Sequence, residues 1–155
     1  MRNDVNPVPE AYRGATPYLS VRNAACAIEF YKQAFGAREV LQLKHPDGKV
    51  SHAELRIGDA PIMIADEFPE VNFISPQSIG GTSVNILVYV NDVDALVERA
   101  TAAGAKLVRP VMDQPYGGRV GVLQDPFGHS WSFATHVEDV SPEEIQKRTA
   151  AQSGS

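Results

Sequence analysis

An internal repeat constrains the fold of this 155-residue chain more than any other feature of its sequence. Residues 21–36 match residues 90–104 with one deletion, and Gly36-Ala37 recurs as Gly104-Ala105. Each matched segment has apolar residues at helical spacing, preceded by Asn23 in the first copy and Asp92 in the second, both good N-caps. Because both the apolar pattern and the residues that flank the helix recur, the sequence indicates two copies of one structural unit.

Runs typical of β-strands surround each predicted helix. One run precedes each helix, at residues 17–21 and 84–90. Three runs follow each helix: 39–43, 50–57 and 61–65 in the first copy, and 106–111, 120–124 and 130–135 in the second. The sequence therefore predicts an α+β fold made of two tandem βαβββ modules.

The remaining segments set the predicted boundaries. Residues 1–14 are polar and aperiodic, and are predicted to form a flexible arm before a domain at 15–136. That domain divides into module one at 15–67, a Pro- and Gly-containing linker at 68–82, and module two at 83–136. Ser141-Pro142 starts a predicted C-terminal helix and tail at 137–155.

Composition excludes several classes of partner. The net charge is −5 and no long basic run occurs, so neither nucleic acid nor a membrane surface is an expected partner. No apolar segment approaches the length of a membrane span. The single cysteine, Cys26, excludes an intrachain disulfide and fits a reducing compartment, so we expect a cytoplasmic protein.

A polar pattern on the predicted strand 50–57 supplies candidate catalytic residues. His52 and Glu54 are two residues apart and therefore share one face, together with Arg56. They can form a plain solvated face, contact a ligand, or supply two ligands of a metal ion. In a ligand site, His52 would be a base oriented by Glu54, and Arg56 would hold an anionic group.

Candidate ligand contacts also occur in the second half. Trp131 alternates with serines, so its ring either packs in the core or stacks on a planar ligand. Tyr116 and Arg119 flank a Gly-Gly pair in a loop that can border a site. The turn at 125–128, Asp-Pro-Phe-Gly, has the residues of a structural turn.

Several phrases of the sequence resemble one known superfamily. They are residues 27–31 (AIEFY), 35–37 (FGA) and 124–131 (QDPFGHSW). These resemble the glyoxalase, bleomycin-resistance and extradiol-dioxygenase proteins, also called the vicinal oxygen chelate superfamily. Residues 52–55 (HAEL), 57–59 (IGD) and the stretch from Thr135-His136 to residues 141–144 (SPEE) are similar to a glyoxalase-like subgroup once mislabelled as demethylubiquinone methyltransferases. The resemblance implies curved mixed sheets that form a cleft for a small organic molecule, paired in a homodimer.

The same resemblance implies where a metal would bind. Metal enzymes of this superfamily carry His or Glu on the first and last strands of each module. The matching residues here are Thr16, Asn85, Met63 and Ser132, and none is a carboxylate or an imidazole. We therefore expect no metal cofactor, with a divalent metal as the alternative, and we take Asn85 and Ser132 as ligand contacts.

The leading functional hypothesis is a metal-free binding protein of this superfamily. It would hold a small aromatic or amphipathic molecule and sequester a drug or metabolite. The alternative is a lyase, isomerase or dioxygenase of glyoxalase type, either metal-dependent or using His52 and Glu54 in acid-base catalysis.

Overall fold

The computed structural model describes residues 5–154 and contains two compact units. Unit 1 extends to Ile79, and unit 2 begins at Gly80. The first four residues of the predicted arm and the last residue of the predicted tail lie outside the described range. Each unit repeats the predicted order of elements, so the expected pair of βαβββ modules is confirmed.

Unit 1 is a four-stranded mixed sheet with one long helix. Its sheet has the order β1-β4-β3-β2, in which β1 runs parallel to β4 and the other neighbours are antiparallel. The elements are a 3-10 turn at Glu10–Tyr12, β1 (Tyr18–Val21), α1 (Ala24–Phe35), β2 (Arg38–Lys44), β3 (Val50–Ile57), β4 (Ala60–Asp66), a second 3-10 turn at Pro69–Val71, and α2 (Pro76–Ile79).

Unit 2 repeats this topology with the sheet order β5-β8-β7-β6. Here β5 runs parallel to β8, and the remaining pairs are antiparallel. The elements are β5 (Asn85–Tyr89), α3 (Val93–Ala102), β6 (Lys106–Asp113), β7 (Gly118–Gln124), β8 (Ser130–His136) and α4 (Pro142–Ser153). Among the described helices, none is both long and apolar enough to cross a membrane.

Local capping chemistry explains where the helices begin and end. The Asn23 side chain accepts the backbone N–H of Cys26 at the start of α1, and Gly36 ends that helix in a left-handed conformation with φ of 68°. Asp92 accepts the N–H of Ala95 in the same way for α3. Ser141 caps α4 through the N–H of Glu144. The predicted capping residues are therefore confirmed.

Each sheet buries one face under its own long helix. In unit 1 the buried residues include Ile28 and Tyr31 from α1 and Ala53, Leu55 and Ile64 from the sheet. Because strand side chains alternate, the residues between these point to the opposite face of the sheet. That opposite face of unit 1 carries the predicted polar residues of β3.

Two details differ from the predicted pattern. The predicted linker 68–82 contains the short helix α2 and a 3-10 turn, which are too brief to show a period in the sequence. The repeat predicts that Gly104 ends α3 as Gly36 ends α1, but α3 ends at Ala102 with Ala103 as its C-cap, so Gly104 lies one residue beyond the cap. Gly104 has a φ of 119°, which residues other than glycine rarely adopt.

Candidate functional site

The polar face of β3 is the first part of the candidate site. His52, Glu54 and Arg56 alternate with the buried residues Ala53 and Leu55, which lie on the helix side of the sheet. The structure therefore places the three predicted residues on one face. Their hydrogen bonds, however, go to different partners.

His52 pairs with a tyrosine of the neighbouring region. Its Nδ1 lies 2.6 Å from the hydroxyl oxygen of Tyr18, the first residue of β1. The ring of Tyr18 in turn meets the ring of Phe73 edge to face, with centroids 5.3 Å apart. Burial raises the pKa of the Tyr18 hydroxyl, so this hydroxyl stays protonated at neutral pH.

Glu54 pairs with a second tyrosine. The hydroxyl of Tyr12, at the end of the first 3-10 turn, donates a hydrogen bond to Glu54 Oε1. Arg56 Nη2 lies 3.7 Å from the same carboxylate oxygen, and Glu54 is only 6% exposed. The hydrogen bond to Glu54 raises the pKa of Tyr12. Glu54 is thus held by Tyr12 and Arg56, and this arrangement does not support the hypothesis that it orients His52.

A cavity of about 600 Å³ lies beside Tyr18 in unit 1. Its walls come from the β2–β3 hairpin and from the segment that follows β4. Three aromatic rings line it, those of Tyr18, Phe68 and Phe73. The ionisable side chains on its wall are His45, Asp47, Lys49, Asp66, Glu67 and Glu70. The cavity therefore combines flat apolar surfaces with charged groups.

Glu67 anchors one wall of this cavity. Its carboxylate accepts hydrogen bonds from the hydroxyls of Ser75 and Ser78, and Arg22 lies 4.0 Å away. These hydroxyl bonds, chiefly that of Ser75, hold the pKa of Glu67 below its usual range. Because Ser75 directly precedes α2 and Ser78 lies within it, the bonds fix that short helix to the end of β4.

The predicted contacts Asn85 and Ser132 meet in unit 2. Ser132 Oγ donates to Asn85 Oδ1 at 2.6 Å, and Asn85 Nδ2 donates to Ser130 Oγ at 2.8 Å. The two residues are therefore brought together across neighbouring strands, β5 and β8. Their polar atoms satisfy one another in this arrangement.

Trp131 lies in the core of unit 2. It is 0% exposed, and its indole N–H donates to the buried carboxylate of Asp125 at 2.9 Å. The other oxygen of Asp125 accepts the backbone N–H groups of Phe127 and His129, which builds the turn at 125–128. Of the two alternatives that the sequence leaves open for Trp131, this arrangement favours core packing.

Arg119 is held by carboxylates of its own unit. Its Nε and Nη2 donate to the two oxygens of Asp94 at 2.7 and 2.8 Å, and Nη1 donates to Asp113 at 3.2 Å. These bonds raise the pKa of Arg119. With its guanidinium engaged in this way, Arg119 is a poor candidate for binding an anionic ligand. Tyr116 remains largely exposed and lies against Gly118.

The four residues at the family's metal positions do not fit a divalent cation. Thr16 precedes β1, Met63 lies on β4, and Asn85 and Ser132 bond to each other. Neutral hydroxyl, amide and thioether groups do not offset the cost of dehydrating such an ion. Within residues 5–154, no group of three or more His, Cys, Asp or Glu side chains could hold a metal ion.

Sequence reasoning missed four residues of unit 1 that shape this site: Tyr12, Tyr18, Glu67 and Phe73. Tyr12 and Phe73 belong to segments without periodicity, so no pattern marks them. Tyr18 carries a usable signal, because it starts β1, which pairs with β4, and β4 pairs with β3. Through Met63 it lies in one row with Glu54, on the polar face of the sheet.

Comparison with known proteins gives a consistent result. The sequence model of the Glyoxalase/Bleomycin resistance protein/Dioxygenase superfamily matches residues 15–133. An uncharacterized protein of Mycobacterium bovis is 44% identical over 140 residues, which cover 88% of this chain and 92% of that protein. The crystal structure of TioX from Micromonospora sp. ML1 is similar with a TM-score of 0.64 and 30% identity, covering 80% of this chain and all of TioX.

A structure containing a metal also shares the fold. The fosfomycin resistance protein FosX from Listeria monocytogenes, in complex with Mn(II) and sulfate, matches with a TM-score of 0.61. The match covers 88% of this chain and 96% of FosX, at 21% identity. At that identity the likeness shows the fold alone.

Proposed function

The chain belongs to the glyoxalase/bleomycin resistance protein/dioxygenase superfamily, and we propose that it binds a small organic molecule in the cavity of unit 1 without a metal ion. The observation that carries this proposal is the cavity itself. Its volume of about 600 Å³ lies within the usual range for small-molecule sites.

The lining of the cavity favours a planar, aromatic ligand. Tyr18 and Phe73 already meet edge to face, which leaves ring surface available for stacking. Phe68 is half exposed at the rim and can close over a bound ring. The charged groups on the wall would orient a polar substituent of the ligand.

The absence of a charged donor set at the family's metal positions supports a metal-free mode of binding. Thr16, Met63, Asn85 and Ser132 would instead contribute packing or hydrogen bonds. A protein of this kind would sequester a drug or metabolite by binding alone.

We also propose a homodimer. Apolar side chains are exposed on the edge strands of both sheets: Val40, Leu41 and Leu43 on β2, and Leu107, Val108 and Met112 on β6. Exposed apolar strands at a sheet edge favour association with a partner. Light scattering of the purified chain would measure its mass directly.

The binding proposal is tested with a panel of quinolines, naphthols and acridines, screened by thermal shift and followed by calorimetry. We expect Phe73→Ala to weaken a bound compound about tenfold, because it removes one stacking ring. Leu87→Ala is the control, because Leu87 occupies in unit 2 the strand position of Tyr18. Binding that needs added Mn²⁺, or that is unaffected by Phe73→Ala, would contradict the proposal.

The hydrogen bond between His52 and Tyr18 favours one alternative, a metal-independent lyase or isomerase. In it, His52 would move a proton at Nδ1 with Tyr18 as its partner at the edge of the cavity. Turnover of a bound compound that is lost in His52→Ala, with affinity retained, would establish this activity. If the unaltered protein shows no turnover and His52→Ala only loses affinity for the compound, binding alone is favoured.

A further inference from the structure

Tyr12 covers two polar residues on the open face of the first sheet. Glu54 and Arg56 lie on the face of β3 that points away from α1, yet Glu54 is only 6% exposed. Tyr12 reaches this face from the 3-10 turn Glu10–Tyr12, which precedes the sheet in sequence. The ring of Tyr12 is itself half-buried by the contact.

The contacts of Tyr12 amount to a recognition pattern for a phenol. Its hydroxyl donates to the Glu54 carboxylate, and the Arg56 guanidinium carbon lies 5.7 Å from the centroid of its ring. Arg56 Nη2 also lies 3.7 Å from Glu54 Oε1, which balances the charge of the carboxylate. A charged acceptor for the hydroxyl and a cation over the ring are both selective for an aromatic alcohol.

The turn that carries Tyr12 is held by few other contacts. It has three residues, no side-chain cap and no buried residue. Its backbone bond, from Tyr12 N–H to the Pro9 carbonyl, is internal to the arm. Among the arm residues that the structure describes, the hydrogen bond to the sheet comes from the Tyr12 hydroxyl, which donates to Glu54. Releasing this one side chain would therefore uncover Glu54 and Arg56 at the cost of its hydrogen bond to Glu54 and its contact with Arg56.

We propose that Glu54 and Arg56 form a phenol-binding site, which Tyr12 fills in the free protein and vacates for a phenolic ligand. The site goes beyond the cavity of unit 1, because these two residues are separate from its lining. The arm then acts as a built-in competitor, and the apparent affinity for a phenol is reduced by the fraction of molecules in which Tyr12 is bound.

The test compares p-cresol, which reproduces the tyrosine side chain, with toluene, which lacks the hydroxyl. We expect Tyr12→Ala to bind p-cresol at least about tenfold more tightly than the unaltered protein does, measured by calorimetry on the full chain. Toluene should bind the same variant about tenfold more weakly than p-cresol, because it donates no hydrogen bond to Glu54. Tyr12→Phe, which keeps the ring and loses the hydroxyl, should give an intermediate affinity for p-cresol.

Two further variants separate this site from other binding. Adding Glu54→Leu to Tyr12→Ala should abolish the gain, and Tyr89→Ala, which removes an exposed ring from unit 2, should show no gain. Phe73→Ala should leave the gain in p-cresol affinity caused by Tyr12→Ala unchanged, so a failure of the cavity proposal is distinguishable. Equal p-cresol affinities for the unaltered protein, Tyr12→Phe and Tyr12→Ala, or equal binding of toluene and p-cresol by Tyr12→Ala, would overturn the proposal.

Discussion

Strands β3 and β7 occupy equivalent places in the two units but carry different chemistry. Glu54 of β3 pairs with Met63, which pairs with Tyr18, and Val122 of β7 pairs with Ser132, which pairs with Leu87. Glu54 and Val122 are therefore counterparts in the repeat. By the same register, the counterpart of His52 is Val120. At these two strand positions the first sheet carries a carboxylate and an imidazole, whereas the second carries two valines.

The opposite faces of the two sheets are alike in how they hold their helices. The N–H of Ala24, the first residue of α1, donates to Asp66 Oδ1, and the N–H of Val93, the first residue of α3, donates to Thr135 Oγ1. In both units the acceptor comes from the last strand. The repeat therefore preserves the contacts that join helix to sheet, while the open face differs between the units.

The largest difference in stability should come from these two acceptors. Asp66 accepts two buried N–H groups, of Ala24 and Val50, whereas Thr135 accepts only that of Val93. We expect Asp66→Ala to lower the free energy of unfolding by about 3 kcal/mol and Thr135→Val by about 1–2 kcal/mol. Urea denaturation measures both values, and Asp66→Asn, which retains one carbonyl oxygen, should be intermediate. Equal losses of unfolding free energy would show that the two acceptors stabilise their units to the same extent.

Moving the polar residue into the second sheet should have a smaller effect. Val122→Glu places a carboxylate at the counterpart of Glu54, opposite Arg109 of β6 but without the hydrogen bond that Tyr12 donates to Glu54 in unit 1. Because Val122 is half-buried, we expect a loss of about 1–2 kcal/mol in the free energy of unfolding. Val122→Thr is the control of nearly equal volume and should cost less. A neutral result would mean that the open face of unit 2 tolerates charge as well as that of unit 1.

The smallest effect concerns acid stability of the cavity wall. The folded-state pKa of Glu67 is lowered, so its bonds stabilise the fold above the unfolded pKa, and this contribution is lost as pH falls through the folded pKa. We expect Glu67→Gln to lower Tm by about 1–3 °C at neutral pH and to approach the unaltered protein below about pH 4. Glu70→Gln, at the same cavity, is the control.

An unchanged gap between Glu67→Gln and the unaltered protein across that pH range would contradict the role of the carboxylate. Unit 2 has its own lowered carboxyl pKa values, at Asp94 beside Arg119 and at Glu138 beside Arg148. The unaltered protein and Glu67→Gln should therefore both lose stability in acid through these carboxyl groups. Only the part of the acid loss that depends on Glu67 should disappear in the variant.

Much of the fold could be predicted because its signals are local. Asn23, Asp92 and Ser141 cap helices through bonds to residues three positions away, which a single sequence displays. The repeat then fixes the order of strands, since the same pattern occurs twice. The short helix α2 could not be predicted, because four residues show no period and its anchor, Glu67, lies well before it.

The candidate site was harder to predict because its partners are distant in sequence. Alternation placed His52, Glu54 and Arg56 on one face, but it could not show that Tyr12 and Tyr18 receive them separately. Those bonds depend on where the arm crosses the sheet and on which strand lies beside β4. Trp131 illustrates the opposite limit, because alternation does not tell which face of a sheet is covered.

The parallel pairing of the first and last strand in each unit has a consequence for folding during synthesis. Tyr18 pairs with Met63 and Asn85 with Ser130, so β1 and β5 each stay without a partner until the end of their own module has been made. Such long loops slow folding, because their closure entropy must be met before the pairing contributes. In unit 1, however, all the paired residues of the sheet lie between Tyr18 and Asp66. As the ribosome releases the chain from its N-terminus, unit 1 can therefore close its sheet while unit 2 is still being translated.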